Sequence, residues 1–250
     1  IEVAVGDGAA ALVLRVLTDL GERDLAALAA FERAHGVHFY LQRGGLETVR
    51  PLAGVAPRLH YGLPEFALEL EFQPTDFVQV NGTVNRALVA RAVELLGAGP
   101  GDRVLDLFCG LGNFTLALAR RAGSVTGVEG DAALVERARA NAARNGIGNA
   151  CFHAANLAAV DALDGPAIAG PWSHVLLDPP RAGALELLPF IARSAPQRIV
   201  YISCHPGTLA RDVGELCGSY GFALRAAGVL DMFPHTTHVE SIAVLEPAGR

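Results

Sequence analysis

The chain has 250 residues, 51% hydrophobic and 18% charged, which supplies the core of one large domain or one and a half and argues against disorder. Its 26 acidic against 20 basic residues leave a formal net charge of −6, a mild argument against nucleic acid as partner. No apolar run reaches the ~18 residues of a membrane span, and four cysteines without a C-x-x-C pair are too sparse for a disulfide scaffold. A reducing cytoplasm is the natural compartment. All the basic residues are arginine, so a P-loop lysine and a Schiff-base lysine are both excluded. The opening "IEVAVGDG" has neither an initiator Met nor the pattern of a signal peptide, and reads as a fragment or a processed product.

Residues 1 to about 74 read as a small α+β unit. "AALVLRVL" (10–17) suits a buried strand, "ERDLAALAAFERAHG" (22–36) an amphipathic helix ending at Gly36, and "VHFYLQ" (37–42) a strand. "FALELEFQP" (66–74) alternates until Pro74, as a half-buried strand should. From residue 75 the pattern changes to alternating helices and strands. Helices are expected over 85–99, 113–123, 131–146, 184–195 (interrupted by Pro189) and 208–221. Strands are expected over 103–108, 124–129, 150–156, 173–178, 198–204, 222–230 and 239–246. The second part, 75–250, is therefore an α/β doubly wound sheet closed by a final hairpin.

The chemistry gathers at the carboxyl ends of these strands, where open α/β sheets bind ligands. The first runs into "DLFCGLGNF" (106–114), in which Gly110 and Gly112 let the backbone turn tightly and Asn113 opens a helix whose amides point at a ligand. Glu129 ends the second strand, where a carboxylate can accept from both hydroxyls of a ribose. Its bland alternative is a solvated strand end. Without a third glycine the turn is a weak dinucleotide signal; with Asp106 and Glu129 it suits S-adenosylmethionine better than NAD. The fourth strand ends in "DPPR" (178–181), two prolines holding Asp178 at the rim. The fifth ends on Cys204, followed by His205 and Pro206. Cys109, Cys151 and Cys217 read as small apolar residues, but Cys204 stands at the ligand-binding rim. A helix beginning near Thr208 is expected to lower its thiol pKa, and His205 could act alike. Glu240 heads an otherwise apolar last strand, where a carboxylate needs a partner or a task. An antiparallel last strand would bring Asp178, Cys204 and Glu240 together.

A cysteine and a carboxylate beside a methyl donor fit one reaction well. Carbon 5 of a pyrimidine becomes nucleophilic once a thiolate has added to carbon 6, and a base must then remove the carbon-5 proton. With "FVQVN" (77–81), "DLFCGLGNF", "GVEG" (127–130), "DPPR", "SCHP" (203–206) and "MFPHTTHVES" (232–241), nearly the whole chain resembles the RNA 5-methyluridine methyltransferases. The nearest branch is the one that methylates uracil in 23S ribosomal RNA. The resemblance implies a Rossmann-like, class I S-adenosylmethionine-dependent methyltransferase domain over 75–250, behind a small α+β subdomain over 1–74. It implies Cys204 as nucleophile and Glu240 as proton acceptor. Gln79, Phe108, Asn113, Glu129, Asn156 and Asp178 match the positions that contact the cofactor or the target base, Gln79 and Asp178 facing the base. It further implies a cytoplasmic enzyme of ribosomal RNA, read here as a monomer. The family's N-terminal RNA-binding barrel and the cysteines of its 4Fe–4S cluster are absent from these 250 residues. His205 stands where the family commonly has Asn. At the rim, Arg181 and Arg211 are the expected local cluster for RNA phosphates. The rivals are a cytosine-C5 methyltransferase, whose usual second cysteine is replaced by Arg181, a non-catalytic RNA-binding module of the same fold, and an NAD-dependent oxidoreductase.

Overall fold

The computed structural model describes residues 1–159, 168 and 170–249. It divides into two compact units, Ile1–Gly62 with Glu69–Val78, and Leu63–Leu68 with Gln79–Arg250. In the first, β1 (Glu2–Val5), β2 (Ala10–Arg15), β3 (Val37–Gln42) and β4 (Arg50–Pro51) form a sheet in that order. The helix α1 (Glu22–His35) connects the parallel pair β2 and β3. Asp24 accepts from the Gly21 amide at its start, and Gly36 ends it in the left-handed conformation. None of its residues is buried: Phe31 stacks on His35 and reaches Phe39 of β3 instead. A hairpin of β5 (Leu59–Leu63) and β6 (Leu68–Phe72) follows. The alternation of β6 buries Leu68, Leu70 and Phe72 and leaves Glu69 and Glu71 to pair with Arg58 on β5's approach.

The second unit carries the site. Its elements are α2 (Gly82–Leu96), β7 (Arg103–Leu107), α3 (Thr115–Ala119), β8 (Ser124–Glu129), α4 (Ala132–Arg144) and β9 (Ala150–Ala154). After them come β10 (His174–Leu177), α5 (Leu188–Arg193), β11 (Arg198–Ser203), α6 (Pro206–Ser219), β12 (Phe222–Leu230) and β13 (Glu240–Pro247). Seven strands lie in the order β12-β13-β11-β10-β7-β8-β9, parallel from β11 to β9, with β13 antiparallel to both of its neighbours. The central strands β7, β10 and β11 read as unbroken apolar runs because helices cover both faces, and Leu105, Val175, Leu176, Val200 and Ile202 are fully buried. The α/β doubly wound sheet is the one expected.

Boundaries depart from expectation where capping decides them. The helix α2 begins at Gly82 because the Asn81 side chain accepts from the Val84 amide at 3.2 Å. The first turn of α6 opens on Pro206, whose missing N–H is no loss at that position. Pro189 breaks nothing for the same reason: a 3₁₀ turn over Leu185–Leu187 leads into α5, and the proline sits in its first turn. Among the described residues no helix is long and apolar enough to cross a membrane.

Leu105 is the apolar centre of β7, flanked by Val175 on β10 and Thr126 on β8. Leu105→Ala is expected to cost about 2–5 kcal/mol of unfolding free energy, read from urea denaturation midpoints.

Candidate active site

The sheet register sets the candidate residues along one rim. Ser203 on β11 is level with Ser241 on β13, so Cys204 and Glu240 are the next pair outward on adjoining strands. The Ser241 hydroxyl donates to the Ser203 carbonyl at 2.8 Å and ties the two strand ends together. On the other side of β11, Leu177 is level with Tyr201, which places Asp178 two residues lower than Cys204. Asp178 in turn is level with Phe108, since Leu177 pairs with Leu107, and Phe108 is level with Glu129, since Leu107 pairs with Val128. Asn156 lies just past the end of β9, which is level with Glu129 through Ala154. Neighbouring strands are about 4.8 Å apart, so Glu240, Cys204, Asp178, Phe108 and Glu129 form a row about 20 Å long.

The turn after β7 has the shape of a cradle. Phe108, Gly110 and Gly112 all take positive φ, and a side chain at Gly110 would meet nothing within 4 Å, so the backbone there faces open space. The Gly110 amide donates to Glu129 Oε2 at 3.1 Å and the Asp131 amide to Oε1 at 3.0 Å, which orients the carboxylate and leaves each oxygen a second lone pair. Asn113 is held by a residue that sequence reasoning missed: Asn85 of α2 donates to Asn113 Oδ1 at 3.1 Å, and Asn113 donates back to Asn85 Oδ1 at 3.0 Å. Its one signal is an amide on the buried face of an otherwise apolar helix. Gln79, half-exposed, lies two residues ahead of the α2 cap. Asn156 is exposed and caps its own turn, accepting from the Ala158 amide at 3.0 Å.

Three carboxyls here hold their protons unusually tightly. Asp106 is fully buried; burial, and then the charges of Asp178 and Glu129, push it up to about 7 against a hydrogen bond from the Thr115 hydroxyl. Among the described residues its Oδ1 has no hydrogen-bond partner. Burial raises Asp178 to about 7, and burial with the Asp178 charge raises Glu240 to about 7. Among the described residues no cation is among the charges acting on Asp106 or Glu240. A cradle of this kind, acidic and without a counter-ion among the described residues, fits a ligand that carries an ammonium and a sulfonium. Among the described residues no group of His, Cys, Asp and Glu could hold a metal ion.

Two expectations need correction. The Cys204 thiol is raised, not lowered: burial and the charges of Glu240 and Asp178 outweigh the helix that follows, and of the charges acting on it only Arg181 opposes them. Nor is Nδ1 of His205 available to the sulfur, because it accepts from the Thr208 amide at 3.1 Å and caps α6. An imidazole thus fills the capping role that an Asn side chain ordinarily has. Arg211, read as part of an arginine cluster for RNA phosphates, keeps its side chain half-exposed while it donates to Asp212 and to the carbonyl of Ala182.

A parallel sheet in this order, a glycine turn after its first strand and an acid at the end of its second define an S-adenosylmethionine-dependent methyltransferase fold. Among solved structures, that of a Pyrococcus abyssi tRNA (uracil-54, C5)-methyltransferase in complex with S-adenosyl-L-homocysteine superposes with a TM-score of 0.75 at 26% identity. The match covers 97% of this chain and 58% of that one. The TYW2 of P. horikoshii shares the fold alone, with a TM-score of 0.65 at 15% identity over 98% of this chain and 90% of that one. The model of the family described as tRNA (Uracil-5-)-methyltransferase matches residues 64–164 and 169–248, and the chain belongs to that family. Curated relatives called 23S rRNA (uracil(1939)-C(5))-methyltransferase RlmD are 54% identical in Xanthomonas euvesicatoria and 55% identical in Alkalilimnicola ehrlichii, each over 98% of this chain. The chain spans 55% of the length of each of these relatives.

The raised carboxyls carry a consequence for stability. A group that binds its proton more tightly folded than unfolded stabilises the fold below its unfolded pKa, and that contribution is lost as pH rises through the folded value. For Asp106 and Asp178 the window runs from 3.8 to about 7, and for Glu240 from 4.5 to about 7. The ligand-free chain should therefore lose stability as pH rises across this window and level off above it, and Asp178→Asn should flatten the fall, both followed by urea midpoints. Separately, Asn85→Ala is expected to weaken S-adenosylmethionine by roughly three- to tenfold in calorimetry, the equivalent of one lost hydrogen bond.

Proposed function

We propose that this chain is the catalytic part of an enzyme that methylates carbon 5 of a uridine in large-subunit ribosomal RNA through a covalent adduct with Cys204. The observation that carries this reading is the adjacency of Cys204 and Glu240, set by the antiparallel register of β11 and β13 at the ligand-binding rim. Relatives more than half identical, named for uracil-C5 methylation of 23S rRNA, support the substrate. In this reading residues 1–74 form a small subdomain and 75–250 the methyltransferase domain. Gly110, Gly112, Asn113, Phe108, Glu129 and Asn156 hold the cofactor, with Gln79 and Asp178 between cofactor and base. Bound S-adenosylmethionine supplies an electrophilic methyl group.

The chain's own residues do the rest. The Cys204 thiolate forms a bond to carbon 6 of the uracil, and the electrons of the 5,6 double bond pass to oxygen 4 as an enolate. Carbon 5 then takes the methyl group, whose bond to the sulfonium sulfur breaks and leaves a neutral thioether, as the carbonyl at carbon 4 re-forms. The Glu240 carboxylate removes the carbon-5 proton, the double bond re-forms, and the bond from sulfur to carbon 6 breaks with return of the thiolate. At about 7, Glu240 is matched to accept a proton at neutral pH and to release it again. A cation in the cradle offsets the Asp178 and Glu240 charges that hold the thiol protonated. The proposed enzyme is a cytoplasmic monomer, and the 4Fe–4S cluster implied by the resemblance has no part in these steps.

Incubation with labelled S-adenosylmethionine and unmodified ribosomal RNA, followed by nucleoside analysis, should give 5-methyluridine. Finding 5-methylcytidine, or no product, would overturn the reading. On RNA that carries 5-fluorouridine, a denaturing gel should show a protein–RNA band for the parent chain and none for Cys204→Ala. Glu240→Gln on ordinary RNA should accumulate an adduct that turns over slowly, by two to four orders of magnitude at roughly the usual worth of a general base.

A further inference from the structure

The loop from Asp178 to Ala184 and the helix that starts after Cys204 are bound to each other at three points. The Thr208 hydroxyl shares its proton between the Arg181 carbonyl at 3.1 Å and the His205 carbonyl at 3.0 Å, Arg211 Nη2 donates to the Ala182 carbonyl at 2.9 Å, and the Ala184 amide donates to Asp212 Oδ2 at 2.8 Å. Thr208, Arg211 and Asp212 are spaced i, i+3 and i+4, so one face of α6 reads the loop backbone almost residue by residue. Asp212 is fully buried, and its remaining bonds come from the Tyr201 hydroxyl on β11 at 2.6 Å and Arg211 Nε at 2.7 Å. Gly183 lies at φ +83°, and a Cβ there would come within 2.5 Å of Asp212 Oδ2. So dense a set of bonds exceeds what closing a short surface loop requires.

We propose that α6 is a clamp that fixes the Asp178–Ala184 loop against Cys204, with Asp212 and Thr208 as its positioning residues. The loop carries two of the charges that act on the sulfur, Asp178 at its start and Arg181 at its exposed turn. Asp178 is held independently of the clamp, by two prolines and its amide's contact with the Leu107 carbonyl at 3.4 Å. Arg181 depends on it, since its main chain is bonded by Thr208 and, among the described residues, its side chain reaches His238 Nδ1 at 3.4 Å and no other hydrogen-bond partner. The other groups facing the thiol are Glu240 on β13, which raises it, and His205, which is occupied as the cap of α6. Loosening the clamp therefore withdraws the one charge that favours the thiolate and leaves those that oppose it. Glu129, Gly110 and Asn113 lie outside the clamp, so cofactor affinity should hardly change.

The inference rests on Cys204 being the nucleophile, yet its test needs no RNA and stands apart from the identity of the methylated base. Lacking lysine, the chain is cut by trypsin only after arginine, and its four cysteines fall on four different peptides. The pH dependence of iodoacetamide alkylation can then be read by mass spectrometry for each cysteine in the whole chain, for the parent, Thr208→Val and Asp212→Asn. The alkylation midpoint of Cys204 should rise by about half a pH unit in both variants, roughly a threefold slower reaction near neutrality. The exposed Cys151 should keep its midpoint, and S-adenosylmethionine affinity by calorimetry should stay within about twofold of the parent. An unmoved Cys204 midpoint in both variants overturns the clamp, as does an equal rise at Cys151, which would mark a general loosening. Asp212 is buried, and if Asp212→Asn does not fold, Thr208→Val decides alone: a rise supports the proposal and no rise overturns it.

Discussion

The antiparallel pairing of β13 with β11 is the constraint from which the rest of the site follows. Were β13 parallel to its neighbour, its first residue would lie at the opposite edge of the sheet, a full strand length from Cys204. Running the other way, its first residue Glu240 arrives beside the sulfur at the end of β11. The price is a carboxyl with 2% exposure among apolar neighbours, and its proton affinity rises accordingly. Strain of this kind is tolerated because the Ser203–Ser241 bond and the apolar pairs beneath it hold the register firmly.

A second theme is the crowding of acids with few bases among them. Asp106 feels the charges of Asp178 and Glu129, and Glu240 that of Asp178; all three sit near neutrality, Asp178 through burial and the other two through burial joined by that repulsion. The orphaned Oδ1 of Asp106 belongs to the same pattern: a neutral acid tolerates an unbonded oxygen better than an anion does. Such an arrangement favours the ligand-free chain at mildly acidic pH and a cationic ligand at neutral pH. Cofactor fit and acid stability have one physical origin.

Much of this was legible in the residues. Alternating apolar runs and amphipathic stretches lay out the large sheet, and strand ends rich in Asp, Cys and Glu mark its functional rim. What escaped has identifiable causes. The strands β1, β4 and β5 are short or carry Pro51 and Gly62, which weakens any period-two signal. The Asn85–Asn113 pair and the Ala184–Asp212 bond each join residues 28 apart, and Asn85 or Asp212 alone reads as an ordinary polar position on a helix. The direction of the Cys204 shift was misjudged because a helix terminus was weighed without the burial of the thiol and without the charges of the two carboxyls expected beside it. His205 was read by its charge when its contribution is a lone pair.

The acidic edge has a consequence for anything long and polyanionic. Glu129, Asp178 and Glu240 stand at the ends of β8, β10 and the start of β13, so a sugar–phosphate strand lying along them is repelled the more strongly as pH rises through about 7 and the latter two ionise. An uncharged heterocycle meets no such barrier. The edge therefore sorts a nucleic acid by its parts, holding the backbone off while admitting a single ring. In the proposed reading a uridine reaches the sulfur by swinging out of its stack, with the pull applied from some other surface than this edge.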